Sequence, residues 1–266
     1  MMQLAILGGG RMGEALIGGL LANGTAPESI AVAETMPERR HHLESTYPGI
    51  RVVASPAWAV ADASVIVVAV KPPDVTSVIE GCIDAMPEHV VIVSIAAGIR
   101  TDAIEAVAGA RPVVRAMPNT PALVGEGATA IAPGATATTA DLAAAEHILG
   151  AVGLVVRVTE PMIDAVTAIS GSGPAYIFLL AEALIDAAVA EGLDRELATE
   201  LVNQTVLGAG RMLVDNDATA EQLRAMVTSP GGTTAAACRE LESGGLREVV
   251  RGAVAAARQR SEEMGR

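Results

Sequence analysis

Short apolar runs alternate with helical stretches through the first half of the chain, and this alternation constrains the fold more than any other feature. The runs are nearly continuous in valine, isoleucine and alanine, as expected of parallel strands covered on both faces. The predicted strands are Gln3–Leu7, Ile30–Ala33, Val65–Val70, Val90–Ile95 and Val113–Ala116, with two more near Ala128–Ala132 and Leu154–Val158. The pattern predicts a doubly wound α/β domain of the Rossmann type.

Helical periodicity lies between these strands and takes over completely after Glu160. The predicted helices are Glu14–Asn23, Met36–Tyr47, Pro73–Ala85, Thr101–Ala108, Thr139–Leu149, Met162–Ala168, Pro174–Glu191, Arg195–Asp215, Thr219–Met226, Thr233–Glu242 and Leu246–Glu263. Asp194 and Asp217 are at or near N-caps, and Gly192 is a C-terminal stop. We therefore expect a dinucleotide-binding domain over residues 1–160 and an all-helical domain over residues 161–266.

Composition excludes several classes of function. The formal net charge is −13 and only four residues are aromatic, so a nucleic-acid surface is not expected. The longest apolar run, from Gly173 to Ile185, contains Glu182 and is shorter than a membrane span requires. The two cysteines form no cluster with histidine, so neither a metal site nor a disulfide framework is expected. A cytoplasmic protein without a membrane segment fits these features.

A glycine-rich turn follows the first predicted strand and opens the first predicted helix. Its sequence is Gly8-Gly9-Gly10-Arg11-Met12-Gly13, and the strand–turn–helix setting is what gives a GxGxxG pattern its meaning. Gly8 permits the tight turn, Gly10 lets the backbone approach a pyrophosphate, and Gly13 lets helix and strand pack closely. The turn predicts a dinucleotide site, the plainer alternative being an ordinary glycine-rich turn.

An acidic residue ends the second predicted strand. Glu34 lies 21 positions after Gly13, where a carboxylate accepts hydrogen bonds from the adenosine ribose and repels a 2′-phosphate. Thr35 follows it, and Arg39 or Arg40 could reach such a phosphate, although a solvated helix face explains both arginines equally well. The pattern favours NADH and leaves NADPH open.

The only lysine of the chain, Lys71, ends the third predicted strand. Of the 18 basic residues, all the others are arginines, so a lysine here suggests a need for a compact ammonium, unless it is an ordinary surface lysine. Ligands of such sheets bind beyond the carboxyl ends of the strands. The segments Ser94–Gly98 and Arg115–Pro121 end further strands, and small residues there would let a nicotinamide lie against the backbone.

The helical half contains neither lysine nor histidine, the usual general bases of hydroxy-acid dehydrogenases. Reduction of a carbon–nitrogen double bond suits this half better, because a protonated imine is already electrophilic. It needs hydride, orientation and an anchor for a carboxylate. The segment Thr228–Thr234 opens a predicted helix and could supply that anchor, although a plain capping turn would have the same composition.

Motifs along the whole length are, taken together, specific to one family. They are Gly8–Gly13, Ala69–Pro72, Arg115–Asn119, Asp164–Thr167, Ser170–Tyr176, Val227–Thr234 and Leu241–Gly245. In these motifs the chain resembles the Δ1-pyrroline-5-carboxylate reductases. The resemblance implies reduction of the cyclic imine 1-pyrroline-5-carboxylate to L-proline by hydride from NAD(P)H, the final step of proline biosynthesis.

The resemblance also implies roles for particular residues. Backbone N–H groups around Gly232, Thr233 and Thr234, in the loop that begins at Ser229, would hold the substrate carboxylate. The hydroxyl of Thr234 would bind the ring nitrogen, and Glu160 would lie near the substrate. The cofactor would contact Gly8, Gly9, Gly10, Arg11, Met12, Gly13, Glu34, Thr35, Ala69, Val70, Lys71, Pro72, Ala96, Ala97 and Gly98.

For assembly, the resemblance implies homodimers formed through the helical domain, with decamers common and the Ser229–Thr234 loop supplied by the partner subunit. Many members carry a polar or basic group where this chain has Glu34, and this departure counts against the usual NADPH preference without deciding it. Two alternatives remain at this level. One is a β-hydroxy-acid or prephenate-type dehydrogenase on the same architecture, and the other is a non-catalytic nicotinamide sensor.

Overall fold

The structure is a computed structural model that describes residues 2–265. These residues form two compact units, one of residues 2–172 with 257–265 and one of residues 173–256. The first unit contains every strand of the described residues, and the second is helical. The predicted fold class, a Rossmann-type α/β domain followed by an all-helical region, is confirmed.

One eight-stranded sheet organises the first unit, in the order β3-β2-β1-β4-β5-β6-β7-β8. Every neighbouring pair is parallel except β6 with β7. The strand order reverses direction between β1 and β4, which is where doubly wound sheets bind ligands. The strands are β1 (Leu4–Leu7), β2 (Ile30–Ala33), β3 (Arg51–Val53), β4 (Val65–Val68), β5 (Val91–Ser94), β6 (Val113–Met117), β7 (Gly127–Pro133) and β8 (Gly153–Arg157).

Both faces of the sheet are buried, which explains the continuous apolar runs. In β1, Leu4 and Ile6 belong to a cluster on one face, whereas Ala5 and Leu7 belong to a second cluster on the other face. All four residues are at most 2% exposed. Because side chains alternate across a strand, only a run that is apolar at every position can satisfy both clusters.

The helices of the first unit cover these two faces. The helix α1 begins at Arg11, directly after the glycine turn, and buries Gly13, Leu16, Ile17 and Leu20. The helices of this unit are α1 (Arg11–Ala22), α2 (Pro37–Thr46), α3 (Pro56–Val60), α4 (Val75–Glu80), α5 (Thr101–Ala108), α6 (Thr139–Leu149) and α7 (Ile163–Val166).

The second unit contains α8 (Gly173–Ala190), α9 (Arg195–Val214), α10 (Ala220–Met226), α11 (Thr233–Ser243) and most of α12 (Leu246–Met264), whose last turns belong to the first unit. The Asp194 side chain caps α9 as predicted. The cap of α10 is Thr219, in a capping box with Gln222, rather than Asp217 itself. Gly192 has the positive φ of a helix stop.

Three features differ from the sequence predictions. The strand β3 and the helix α3 were not predicted, because both are short and β3 is a partly exposed edge strand without a continuous apolar run. The single helix predicted over Pro73–Ala85 is wrong. It is divided into a 3₁₀ turn, the helix α4 and a second 3₁₀ turn, and the division falls at Gly81, a poor helix former.

Within residues 2–265, the helical run Glu160–Ala190 is long and apolar enough to cross a membrane by length and composition alone. The most apolar 18 residues of this run are not buried inside the chain. Phe178, Leu179 and Leu180 are 60%, 66% and 48% exposed. A helix that is apolar on most sides requires a covering partner, either lipid or protein.

Candidate active site

The glycine turn has the geometry that its sequence predicts. Gly8 has φ +108°, and a Cβ there would lie 2.7 Å from the Ala69 carbonyl oxygen. A Cβ on Gly13 would overlap the Gly8 carbonyl oxygen. Gly10 is different, because a Cβ on it would meet nothing within 4 Å. Gly8 and Gly13 are therefore required by packing. Gly10 instead leaves open backbone at the N-terminus of α1, where a phosphate could approach.

A groove of about 320 Å³ runs from this turn along the carboxyl ends of β2 and β4. Seven of the predicted cofactor residues line it: Gly8, Gly10, Glu34, Thr35, Ala69, Val70 and Lys71. These residues come from three separate segments of the chain. The sheet topology therefore brings these residues together where the strand order reverses, although the sequence predicts them at the ends of separate strands.

The remaining predicted cofactor residues lie outside the lining of this groove. Arg11 lines a second groove along α1, next to Glu14 and Tyr47. Met12 packs against the core, and Gly9 lies over Leu43 and Glu34. Pro72 begins the 3₁₀ turn that follows β4. Their roles in cofactor binding stay predictions.

The loop after β5 holds the last three predicted cofactor residues. Ala96 is buried, and Gly98 has φ +77°. A Cβ on Gly98 would lie 3.2 Å from Cβ of Met264, near the end of α12. Ala97, between them, is partly exposed. The loop is thus held from behind by α12, with a small residue on its open side.

The Glu34 carboxylate is oriented by two backbone groups. Oε2 accepts a hydrogen bond of 3.0 Å from the Gly9 N–H, and Oε1 accepts one of 2.9 Å from the Met36 N–H. Each carboxylate oxygen can accept a further bond. The carboxylate is therefore held at the groove with acceptor capacity that suits ribose hydroxyls.

Both arginines that follow β2 are already engaged. Arg39 donates through Nε to the Gly9 carbonyl oxygen at 2.5 Å and pairs through Nη2 with Glu14. Arg40 donates through Nη1 to the carbonyl oxygens of Glu34 and Thr35, at 3.0 Å and 2.8 Å. Lys71 is exposed and lines the groove. Its side-chain ammonium has no hydrogen-bond or ion-pair partner among residues 2–265.

Glu14 receives several donors from α2 and its C-terminal end. Besides Arg39, His42 Nε2 lies 2.8 Å from Oε1, and the Tyr47 hydroxyl hydrogen-bonds to Glu14. Burial alone would raise the pKa of Glu14, but the hydrogen bonds from Arg39 and His42 outweigh it and hold the pKa below its usual range. Glu14 is thus an ionised centre beside the glycine turn.

We expect the stabilising effect of Glu14 to be lost in acid. A carboxyl whose pKa is lower in the folded chain stabilises the fold above its unfolded pKa, and loses that effect as pH falls through the folded value. The wild-type chain should exceed Glu14→Gln in free energy of unfolding by a constant amount above about pH 5, and by less below it. Urea unfolding of the two chains, each also carrying His42→Ala, measures the difference without a contribution from the neighbouring imidazole. A difference unchanged down to about pH 3 would contradict this assignment.

Glu160 occupies a buried ion pair. Its Oε1 accepts from Arg115 Nη1 at 2.8 Å and from the Thr101 N–H, at the start of α5, at 3.2 Å. The Arg115 side chain is 3% exposed and that of Glu160 is 13% exposed. The second oxygen, Oε2, is buried with no partner among the described residues. The visible contacts of Glu160 thus hold β6 and α5 together, and its predicted substrate contact stays a prediction.

Asn119, just after β6, is a buried polar residue to which the sequence predictions gave no individual role. It is 9% exposed, accepts from the Ala128 N–H at 2.8 Å and donates to the Ser170 carbonyl oxygen at 3.0 Å. Ser170 lies in a π-helical turn, Thr167–Gly171. Such turns leave carbonyl groups unpaired and are frequent at functional sites. The local sequence does not predict the π turn, and therefore it does not predict the Ser170 carbonyl oxygen as the partner of Asn119.

The predicted carboxylate anchor lies in the second unit. Gly231 has φ +72°, the Gly232 N–H donates to the Ser229 carbonyl oxygen at 3.0 Å, and Gly232 is the N-cap residue of α11. No side chain caps this helix. Among residues 2–265 the Thr234 hydroxyl has no hydrogen-bond partner. The N-terminus of α11 therefore offers uncapped N–H groups and a hydroxyl to an anionic ligand.

Comparison with known proteins agrees with this arrangement. A family model described as pyrroline-5-carboxylate reductase dimerisation matches residues 160–264. A second, described as NADP oxidoreductase coenzyme F420-dependent, matches residues 3–98. The second match contains the glycine turn, Glu34 and Lys71. The first contains Glu160, the π turn and the Ser229–Thr234 loop.

Relatives match over essentially the whole chain. The pyrroline-5-carboxylate reductase of Mycobacterium tuberculosis is 47% identical over 288 residues, covering 99% of this chain and 97% of the relative. A solved pyrroline-5-carboxylate reductase from Coxiella burnetii superimposes with a TM-score of 0.96 at 40% identity, covering 100% of this chain and 99% of that one.

A further solved structure, Plasmodium falciparum pyrroline carboxylate reductase with NADP bound, superimposes with a TM-score of 0.85 at 32% identity. It covers 100% of this chain and 98% of that one. Identity and coverage at this level, together with the dimerisation model, exceed what a shared fold alone would give. The chain belongs to the pyrroline-5-carboxylate reductase family.

Proposed function

We propose that this chain reduces 1-pyrroline-5-carboxylate to L-proline with hydride from NAD(P)H. The observation that carries the proposal is the full-length match to reductases of this name, at 47% identity in one relative. The site agrees with it, because a dinucleotide groove and an anion-binding helix N-terminus are both present in the chain. The lack of lysine and histidine in the helical half also favours imine chemistry over the hydroxy-acid alternative.

The groove fits a nicotinamide dinucleotide. The open backbone at Gly10 leaves space where a Cβ would meet nothing, at the positive end of α1. When bound, the cofactor supplies a hydride to the carbon of the substrate C=N bond. The backbone N–H groups around Gly232, at Thr233 and Thr234, bind the substrate carboxylate, while the Gly232 N–H itself donates to the Ser229 carbonyl oxygen and fixes their loop. The Thr234 hydroxyl orients the ring nitrogen, which carries the proton, and Glu160 is the proposed acidic neighbour of the substrate.

The other predicted cofactor contacts belong to the same proposal. Gly9, Arg11, Met12 and Gly13 complete the turn around the pyrophosphate. The segments Ala69–Pro72 and Ala96–Gly98 line the cofactor, with Lys71 as the only cation of the groove lining. We also propose the division into a dinucleotide-binding domain, 1–160, and a dimerisation domain, 161–266. The dimerisation model that begins at residue 160 supports that division.

We propose that the active assembly is at least a homodimer, with a decamer as the larger form, and that the enzyme is cytoplasmic. The exposed apolar residues of α8 lie within the matched dimerisation region. A partner subunit that covers them would account for an apolar helix without any membrane. Analytical ultracentrifugation of the full chain, which separates a dimer from a decamer by mass, tests the assembly directly.

An initial-rate assay tests the activity. Purified protein with 1-pyrroline-5-carboxylate and NADH or NADPH should consume the reduced cofactor, with NADH preferred because Glu34 would repel a 2′-phosphate. The same assay without the imine gives the background rate. No loss of reduced-cofactor absorbance with either nicotinamide would overturn the proposed activity. Cofactor binding without turnover would instead favour the nicotinamide-sensor alternative.

A substitution at Glu34 tests the basis of the preference. Glu34→Ser removes the negative charge at the ribose and should raise kcat/KM for NADPH relative to NADH by about tenfold or more, since one charge-assisted contact corresponds to about 1.4 kcal/mol or more. Glu44→Ser is a suitable control, because Glu44 is an exposed acidic residue on α2, the helix that follows Glu34, and lies outside the groove. An unchanged cofactor ratio in Glu34→Ser would contradict the role of Glu34.

A further inference from the structure

The two arginines after β2 are the cations nearest in sequence to the position where a 2′-phosphate would lie, and the structure shows what each is doing. Among residues 2–265, the Arg40 side chain bonds only to the backbone carbonyl oxygens of Glu34 and Thr35. Arg39 is held by a side chain as well as by backbone, because Glu14 pairs with its guanidinium while Nε donates to the Gly9 carbonyl oxygen. Of the two arginines, only Arg39 is held by another side chain, so only its position can be changed by substituting its partner.

Arg39 lies close to the cofactor groove even though it does not line it. Its bonding partner, the Gly9 carbonyl oxygen, belongs to the same residue whose N–H donates to Glu34 Oε2 at 3.0 Å. The guanidinium and the carboxylate that faces the ribose therefore bond to the two sides of one residue, Gly9. An arginine side chain is long enough to move across one residue and is well suited to bind a phosphate in a two-pronged geometry.

We propose that Glu14 is a positioning residue that sets cofactor choice. By holding Arg39 on the Gly9 carbonyl oxygen, it withholds the guanidinium from the 2′-phosphate of NADPH. The inference rests on the proposed nicotinamide-dependent function, and it adds a determinant outside the groove lining to the one supplied by Glu34. Glu14 does not need to contact the cofactor for this effect.

The surroundings of Glu14 explain why its ion pair with Arg39 is stable. Its carboxylate also interacts with His42, at 2.8 Å, and with the Tyr47 hydroxyl. Both partners come from α2 or its C-terminal end, as Arg39 does. The acid on α1 thus collects three donors from one neighbouring element, and Arg39 would have to leave an ionised partner in order to reach a phosphate.

The test compares how strongly fragments of the two cofactors bind. Calorimetric titration with adenosine 2′,5′-bisphosphate and with adenosine 5′-monophosphate isolates the 2′-phosphate, and it needs neither the nicotinamide nor turnover. The wild-type chain should bind the bisphosphate no more tightly than the monophosphate, because Glu34 repels the 2′-phosphate and Arg39 is withheld from it. Glu14→Gln should bind the bisphosphate about tenfold more tightly relative to the monophosphate, as expected for one new arginine–phosphate contact.

Two further variants separate this mechanism from a general change in charge. Glu38→Gln removes the same charge from an exposed residue next to Arg39 that has no ion-pair partner among residues 2–265, and it should leave the fragment ratio unchanged. Arg39→Ala combined with Glu14→Gln should abolish the gain. A gain that survives without Arg39, or appears equally in Glu38→Gln, would overturn the proposal.

The wild-type measurement keeps the proposal falsifiable should Glu14→Gln fold poorly. A wild-type chain that already binds the bisphosphate about tenfold more tightly than the monophosphate has no withheld arginine, and that result would overturn the proposal. Fragment binding also remains readable if the chain fails to reduce 1-pyrroline-5-carboxylate. The failure of this inference and the failure of the proposed activity are therefore distinguishable.

Discussion

Replacing Arg115 with methionine is expected to lower the free energy of unfolding by about 3–5 kcal/mol, because it leaves the Glu160 carboxylate buried without its cation. Arg115 is 3% exposed, and Glu160 Oε2 is already buried without a partner among the described residues. Removing the 2.8 Å ion pair would leave the Thr101 N–H as the only donor to this carboxylate within residues 2–265. Urea unfolding followed by circular dichroism measures the loss, at one fixed protein concentration because oligomers gain stability by mass action.

The double variant Arg115→Met with Glu160→Met should recover much of this stability, since replacing a buried ion pair by apolar side chains is often close to neutral. An exposed pair provides the control. Arg157 donates to both carboxylate oxygens of Glu146 at the surface, and Arg157→Met should change stability little. If Arg115→Met were as mild as Arg157→Met, the buried pair would not be holding β6 against α5.

The same double variant also bears on the proposed substrate role of Glu160. If the chain with methionine at both positions is folded and still turns over 1-pyrroline-5-carboxylate at the wild-type rate, Glu160 serves the fold and not the substrate. A folded double variant with a raised KM would support a substrate contact. Measuring KM and the free energy of unfolding on the same double variant separates a substrate contact from a structural role. A single Glu160 variant would change both quantities at once.

Replacing Thr234 with valine is expected to lower kcat/KM for 1-pyrroline-5-carboxylate by about a hundredfold, the usual effect of removing one oriented hydrogen-bonding group from a reacting centre. The substitution keeps the size and branching of the side chain and removes only the hydroxyl, which has no partner among the described residues. Little change in stability is therefore expected. Steady-state rates with a saturating reduced nicotinamide give the result.

Two companion variants make this prediction specific to the hydroxyl of Thr234. Thr234→Ser restores the hydroxyl and should retain most of the activity. Thr205→Val is the matched control, because Thr205 is an exposed helical threonine whose hydroxyl bonds to the Leu201 carbonyl oxygen of its own helix. It should behave like the wild type. Wild-type turnover by Thr234→Val would refute the catalytic role of Thr234.

Much of the fold could be predicted because local periodicity reports which faces of an element are buried. The helices Thr101–Ala108 and Thr139–Leu149 have the predicted bounds. Most of the predicted strands end within two residues of the observed ones. The elements β3 and α3 have no strong periodic signal, and the sequence does not predict them. The prediction of one helix after β4 is wrong because Gly81 interrupts it.

The sequence by itself determined the α/β class, the helical second half, the dinucleotide turn and the positions of the residues that end strands. These features depend on neighbours a few positions apart, or on glycines whose conformational freedom is intrinsic. Only the tertiary structure decided how the polar side chains are engaged. Glu34 and Gly9 are 25 positions apart, Arg115 and Glu160 are 45 apart, and Asn119 and Ser170 are 51 apart. Pairings over such separations depend on sheet order and helix packing, and for the same reason the sequence does not predict the pair of Glu14 and Arg39, which joins α1 to α2.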